Sequence, residues 1–225
     1  MKKTRSFIHV SCLTFHVYFA ASRRLVIKKR VVKKVGVYCA SSIHIDPSYY
    51  QAAETLGKIL AQHRITILYG GGSVGLMGRL ADSAMAQGGK VIGILPKFMN
   101  GLEWGHQGIS ELKIVKTLHN RKNYILRNSD AVIALPGGCG TFEELLEAIT
   151  WKRLGLYLNP VVIVNTCHFY DPLVELLENA ITEQFMDARH RLMWTVVQES
   201  DEVVDAITTS PSWSVEARNF ASIGR

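Results

Sequence analysis

The 225-residue chain has few cysteines and lacks a long uninterrupted apolar segment. The cysteines, of which there are four, form no CxxC pair and lie far apart, so neither a zinc site nor a disulfide framework is indicated. The apolar stretch 6–21 contains His9 and His16 and is too short for a membrane span. The sequence therefore predicts no metal and no membrane partner, and the cysteine pattern favours a reducing cytoplasm.

Acidic residues are absent from 1–34, a leader that holds ten Lys or Arg. From residue 35 onward there are 16 basic and 19 acidic residues, although the whole chain carries a formal charge of +7. Because the excess of positive charge is confined to the leader, we expect no nucleic-acid partner for the rest of the chain. The leader is compatible with a secretory signal, an organellar presequence, or an appended or mis-started segment without a fold of its own.

From residue 35 onward, short β-branched runs alternate with longer amphipathic stretches, which is typical of βαβ units on a parallel sheet. The predicted strands are 35–40, 65–70, 90–96, 131–136, 160–165 and, at an edge, 194–198. The predicted helices are 48–62, 74–87, 119–129, 141–153, 171–185 and 201–208. The pattern predicts an α/β fold, a Rossmann-like doubly wound parallel sheet with helices on both faces. We expect a single domain over 35–210 and a loose tail over 211–225.

Two glycine-rich turns follow predicted strands, at the edge of the sheet where ligands bind in such folds. The first turn, 70–75, includes Gly71 and Gly72, and its backbone N–H groups could approach a phosphate. The alternative is a tight turn that only lets the next helix pack on the sheet. No Gly-Lys-Ser/Thr follows, so ATP hydrolysis by a P-loop is not expected.

The second turn, 136–144, is more specific because it combines three glycines, a hydroxyl and two carboxylates. Thr141 could cap the following helix or bind phosphate together with free N–H groups. A carboxylate beside an anion site is poorly placed only to bind phosphate, so Glu143 or Glu144 should face a sugar or water. The alternative for both is compensation of the helix dipole. Upstream, Arg121 and Lys122 point about 100° apart on a predicted helix, so they should not contact one ligand atom; the alternative is a solvated face.

These residues together resemble the LOG family, long mislabelled as lysine decarboxylases, whose marker is PGGxGTxxE with an upstream Arg-Lys pair. The marker occurs at 136–144, the pair is Arg121 with Lys122, and a GGGxxGLMG turn occupies 70–78. The likeness covers about 35–205. Two departures border the site: Cys139 replaces the Tyr of plant members, and 123–125 replace their usual Ala-Glu-Met. These changes affect the base preference more than the reaction class.

The resemblance implies a homodimeric enzyme that hydrolyses purine nucleoside 5'-monophosphates to free base and ribose 5-phosphate, with N6-substituted, cytokinin-type AMP as substrate. Carried over by position, it implies that Arg121 and Glu144 are catalytic. The expected substrate contacts, including both glycine turns and a glutamate in the long loop 97–110, are Glu103, Lys122, Gly137, Gly138, Cys139, Gly140, Thr141, Phe142, Glu143, Thr150, Gly71 and Gly72.

N-glycosidic cleavage develops positive charge on the sugar, and we expect Glu144 to stabilise that charge while Arg121 holds the phosphate or the leaving purine. This chemistry needs no metal and no cofactor. Four alternatives stay open: an AMP nucleosidase without a cytokinin role, a non-catalytic nucleotide-binding or carrier protein, nucleic-acid binding through the basic leader, and a pyridoxal-phosphate decarboxylase. The last has little support, because Lys122 is the only lysine near the marker and nothing around it suggests a Schiff-base site.

Overall fold

The structure is a computed structural model that describes residues 30–100 and 105–221. In these two ranges seven strands form one sheet: β1 (Lys34–Tyr38), β2 (Thr66–Tyr69), β3 (Val91–Pro96), β4 (Glu111–Val115), β5 (Ala131–Ala134), β6 (Val161–Val164) and β7 (Thr195–Val197). The α-helices of the same ranges are α1 (Pro47–Gln62), α2 (Gly75–Ala86), α3 (Leu118–Arg127), α4 (Cys139–Arg153), α5 (Asp171–Thr182) and α6 (Val203–Thr209). Most of the basic leader lies outside the described residues.

The strand order is β4-β3-β2-β1-β5-β6-β7, and every neighbouring pair is parallel. The chain builds one half of the sheet outward from β1 and then crosses to the other side of β1 to begin the second half with β5. This is the doubly wound arrangement that the sequence predicts. Its consequence is a crevice between β1 and β5, where connections to opposite sides of the sheet diverge.

Helices cover both faces of the sheet, as expected. Leu56, Leu80 and Ile207 place α1, α2 and α6 in one buried cluster, which also contains the β1 side chains Val35 and Val37. The other cluster holds α3, α4 and α5 against the opposite face. All four residues of β5 and of β6 are buried, which explains why these strands appear in the sequence as continuous apolar runs.

Element ends differ from the predictions by up to three residues, and two differences matter most. Strand β4 was not predicted, because it pairs only with β3 and carries the charged Glu111 and Lys113, which are typical of an edge strand but also of a loop. Helix α4 begins at Cys139 rather than at residue 141, with Gly138 as its N-cap. Thr141 is therefore the third residue of the helix and does not cap it.

The C-terminal tail is described as far as residue 221, and this part lies against the end of α4. The indole of Trp213 donates to the carbonyl of Lys152 (2.7 Å), Arg218 donates to the carbonyl of Leu154 (3.2 Å), and Ala217 is buried. These contacts lie at the end of α4 opposite to the crevice. Within the described ranges, no helix has both the length and the apolar character needed to cross a bilayer.

Candidate active site

A cleft of about 270 Å³ opens at the carboxyl ends of β1 and β5. This is the position that the strand order predicts for a ligand, because β1 and β5 flank the point where the winding of the sheet reverses. The cleft is lined by the end of β1 and the loop after it, by Gly70 and Met77, by one side chain of α3, and by the first turns of α4. The lining residues are Val37, Tyr38, Cys39, Ala40, Ser41, Ser42, Gly70, Met77, Arg121, Gly138, Gly140, Thr141 and Glu144.

The N-terminus of α4 presents backbone donors to this cleft. The N–H of Phe142 is the first to bond within the helix, to the carbonyl of Gly138 (3.0 Å). In the part of the chain that the structure describes, no hydrogen bond uses the N–H groups of Cys139, Gly140 or Thr141. A Cβ atom at Gly138 or Gly140 would meet nothing within 4 Å, so the space beside these donors is open. Free N–H groups and the helix dipole make this end of α4 suited to an anion such as phosphate.

The first glycine turn is built differently. The N–H groups of Leu76 and Met77, in the first turn of α2, both donate to the carbonyl of Ala40 (3.0 and 3.2 Å). Gly75 has φ +64°, and a Cβ there would collide with the backbone of Ser41. The N-terminal amides of α2 are thus used to hold the loop after β1.

Gly71 and Gly72 do not line the cleft. Gly71 has φ +87° and packs against Leu95, while its carbonyl accepts from the N–H of His106 (2.9 Å). Gly72 forms a bridge with Gly105. Both glycines therefore connect the turn to the end of the long loop.

Arg121 and Glu144 form a buried ion pair inside the cleft. Nη2 of Arg121 donates to Oε1 of Glu144 at 2.9 Å, and the two side chains are 11% and 9% exposed. Burial raises the pKa of Glu144, and the charge and hydrogen bond of Arg121 only partly oppose this effect. The pair therefore combines a desolvated carboxylate with a cation beside the open end of α4.

Lys122 reaches a different pair of carboxylates. Its ammonium group contacts Glu143 and lies 3.2 Å from Glu147. Burial lowers the pKa of Lys122, but the hydrogen bonds that Lys122 donates to Glu143 and Glu147 outweigh this effect, and the net shift is upward. Since neighbouring residues of α3 diverge, Arg121 faces the cleft while Lys122 binds Glu143 and Glu147 of α4, as their helical spacing predicts. Glu143 and Glu144 lie beyond the first turn of α4, so neither has the position that dipole compensation requires.

The remaining predicted contacts are dispersed. Cys139 is exposed at the first position of α4, and Phe142 stacks on Phe169 with ring centroids 6.1 Å apart. Thr150 is exposed on α4, about 9 Å along the helix axis from Glu144. Glu103 lies outside the described residues. Gly137 packs against Thr141 and places the turn close to the helix.

The sequence reasoning missed the contribution of β1. Tyr38, Ser41 and Ser42 line the cleft but belong to no motif. The signal that could have identified them is their position, because they end and follow the first strand of a doubly wound sheet, which is central and flanks the crevice.

Comparisons with known proteins identify relatives of this chain. Residues 77–207 match a family model described as "Possible lysine decarboxylase". The chain is 41% identical over 172 residues to the cytokinin riboside 5'-monophosphate phosphoribohydrolase LOG7 of Arabidopsis thaliana, covering 76% of this chain and 79% of that protein. It is 38% identical over 176 residues to the cytokinin riboside 5'-monophosphate phosphoribohydrolase of Rhodococcoides fascians, covering 78% and 89%.

Solved structures with the same fold include two proteins with related names. One is the molybdenum cofactor carrier protein of Chlamydomonas reinhardtii, with a TM-score of 0.58 and 23% identity over 78% of this chain and 95% of that one. The other is the molybdenum cofactor binding protein of Rippkaea orientalis, with a TM-score of 0.60 and 23% identity over 78% and 94%. At this level of identity the likeness concerns the fold alone.

Proposed function

Because the chain belongs to the LOG family of cytokinin riboside 5'-monophosphate phosphoribohydrolases, we propose that it hydrolyses the N-glycosidic bond of purine nucleoside 5'-monophosphates. The base is an N6-substituted adenine of the cytokinin type, and the products are the free base and ribose 5-phosphate. One observation carries the proposal: the buried Arg121–Glu144 pair shares a single cleft with the open N-terminus of α4.

The 5'-phosphate binds at the start of α4, where the N–H groups of Cys139, Gly140 and Thr141 and the helix dipole favour negative charge. Glu144 lies three to five residues further along the same helix, so it is roughly 4.5–7.5 Å deeper along the axis. A ribose attached to the bound phosphate would lie at this depth. Phosphate binding therefore positions the sugar, and binding energy from the phosphate contributes to the reaction at the anomeric carbon.

Glu144 stabilises the positive charge that develops on the sugar as the bond to the base breaks. Water adds to the anomeric carbon, and the departing purine takes up a proton as it leaves. Arg121 favours the ionised form of the buried carboxylate and contacts the phosphate or the leaving base. Because Glu144 is only 8% exposed, its charge is weakly screened by solvent and acts strongly on the sugar.

Product analysis by chromatography tests the proposal. The protein is incubated separately with AMP, with isopentenyladenosine monophosphate, and with the two corresponding nucleosides. We expect free base from the monophosphates and none from the nucleosides, because a nucleoside lacks the group that α4 binds. The ratio of the two monophosphate rates separates a cytokinin-activating enzyme from an AMP nucleosidase. Absence of free base from both monophosphates would contradict the proposal.

The geometry favours an enzyme over a carrier, because a protein that only binds nucleotides has no need for a buried carboxylate beside an anion site. Tight binding of AMP without release of adenine would favour the carrier. A decarboxylase is disfavoured because Lys122 is held by two carboxylates that raise its pKa, whereas a Schiff-base lysine must lose its proton readily. Lys152, whose pKa burial lowers to about 7, does not line the cleft. An absorbance band near 400 nm in the purified protein would revive this alternative.

The proposal extends to assembly and location. The family resemblance favours a homodimer, and Leu146 and Thr150 give α4 an exposed outer face. Light scattering on the purified protein measures the mass and would show a monomer if this is wrong. A cytoplasmic location is supported by Cys39, Cys139 and Cys167, which are all free thiols. Microscopy of tagged protein with and without 1–34 tests the location and the targeting alternatives together.

A further inference from the structure

Tyr38 has an unusual hydroxyl group. The residue ends β1, lines the cleft and is only 2% exposed, and its hydroxyl has no hydrogen-bond partner among the described residues. Two other buried tyrosines are paired: Tyr69 donates to the carbonyl of Gly72 (3.1 Å) and Tyr170 to that of Leu135 (2.8 Å). A buried polar group without a partner is unfavourable, so its presence in the cleft calls for a functional explanation.

The ring of Tyr38 packs on the face of the sheet that α3 and α4 cover, in the same cluster as Leu145, the residue that follows Glu144. Burial and the charge of Glu144 raise the pKa of the Tyr38 hydroxyl, which therefore keeps its proton and can only gain from donating it to an acceptor. The charged and titratable groups that act on Tyr38 or Glu144 are Arg121 and Lys122 from α3, Glu143 and Glu147 from α4, and Tyr157.

Arg121 has two tasks in the proposed reaction. In the described part of the chain, Glu144 accepts a hydrogen bond from Arg121 through Oε1 and from no other side chain. A phosphate dianion bound nearby competes for the same guanidinium group. As Arg121 turns toward the phosphate, Glu144 needs another donor if it is to stay ionised in its buried position.

We propose that Tyr38 is a positioning residue for Glu144, and that its hydroxyl donates a hydrogen bond to the Glu144 carboxylate when the phosphate of the substrate engages Arg121. This inference rests on the proposed function. The hydroxyl is too enclosed to touch the substrate, so it acts through Glu144. Its role is to hold the carboxylate charged and aimed at the sugar while the ligand occupies the cleft.

Tyr38→Phe removes the hydroxyl alone, and Tyr170→Phe is the matched control. We expect Tyr38→Phe to unfold at the same temperature as the wild type or above it, because no hydrogen bond is lost, whereas Tyr170→Phe leaves the Leu135 carbonyl unpaired and unfolds at a lower temperature. The kcat of base release falls roughly tenfold in Tyr38→Phe, with KM unchanged, because a donor to a charged group is lost. An unchanged kcat overturns the proposal.

A second readout does not depend on turnover. In protein with ¹³C-labelled glutamate, the pKa of Glu144 is measured by NMR with saturating ribose 5-phosphate, and Glu144→Gln assigns the signal. We expect a higher pKa of Glu144 in Tyr38→Phe than in the wild type, because the charged carboxylate has lost a donor. Equal pKa values overturn the proposal. If the wild type releases no base, the proposed function fails, but this comparison still decides the role of Tyr38.

Discussion

Adding a single methyl group at Gly140 should change protein stability and anion binding in opposite directions. Gly140 is in the first turn of α4 and lines the cleft, and a Cβ at this position would meet nothing within 4 Å. The unliganded protein therefore accommodates Gly140→Ala without rearrangement. Alanine in place of a helical glycine should stabilise the fold by roughly 0.5–1 kcal/mol. The same methyl group occupies the space through which a phosphate oxygen must approach the N–H groups.

A hydrogen bond to a charged group contributes roughly 1.5–3 kcal/mol, so loss of one such contact should raise KM about 10- to 100-fold. Initial rates of base release give KM, inhibition by inorganic phosphate reports the anion site directly, and thermal unfolding reports stability. Inhibition by free adenine is the control, since the base does not bind at the start of α4 and its inhibition should not change. If KM and phosphate inhibition stay within about twofold of wild type, phosphate does not bind at the start of α4.

Three further changes test the site and the fold. Glu144→Gln should lower base release at least about 100-fold while calorimetry still detects AMP binding; unchanged turnover would remove Glu144 from the mechanism. Gly57→Ala would place a Cβ 2.5 Å from the Leu80 carbonyl, so urea unfolding should show a loss of about 1–3 kcal/mol, and a loss below about 0.5 kcal/mol would contradict the close packing of α1 on α2. Burial lowers the pKa of Lys152 to about 7. The unfolded chain then binds more protons between about pH 7 and pH 10, so the unfolding free energy of the wild type rises with pH there, with a slope of up to ~1.4 kcal/mol per pH unit. Lys152→Met should be more stable than the wild type at pH 7 and should lose this slope. If urea unfolding gives parallel curves of unfolding free energy against pH for the two proteins, this prediction is wrong.

The fold was largely predictable because its central strands are buried on both faces. Continuous apolar runs such as 131–136 and 160–165, too short for helices and rich in β-branched residues, identify such strands. Edge strands are under a different constraint, because their unpaired edge must not pair with other chains. The edge strand β4 carries charged residues, and its sequence therefore resembles that of a loop. The start of α4 was displaced by two residues because a hydroxyl is the usual N-cap, whereas here Gly138 takes that position.

The sequence identified which residues belong to the site, but not which of them pair with each other. The marker identified Glu144 and the upstream pair identified Arg121, yet the sequence holds no information on which of three glutamates each cation binds. That choice depends on how the fold places α3 relative to α4, so that Arg121 pairs with Glu144 and Lys122 pairs with Glu143 and Glu147. Tyr38 escaped prediction for the same reason, because its importance comes from what surrounds it.

The two glycine turns show why similar sequences have different roles in one fold. Each follows a strand and precedes a helix, and each could leave the first N–H groups of that helix free. In α2 the positive φ of Gly75 brings the helix onto the loop after β1, and the carbonyl of Ala40 takes two of its amides. No such loop covers α4, so in the described structure its first amides face the cleft. The donors used at α2 hold in place the loop after β1, which lines the cleft, and the donors left at α4 are available to the ligand.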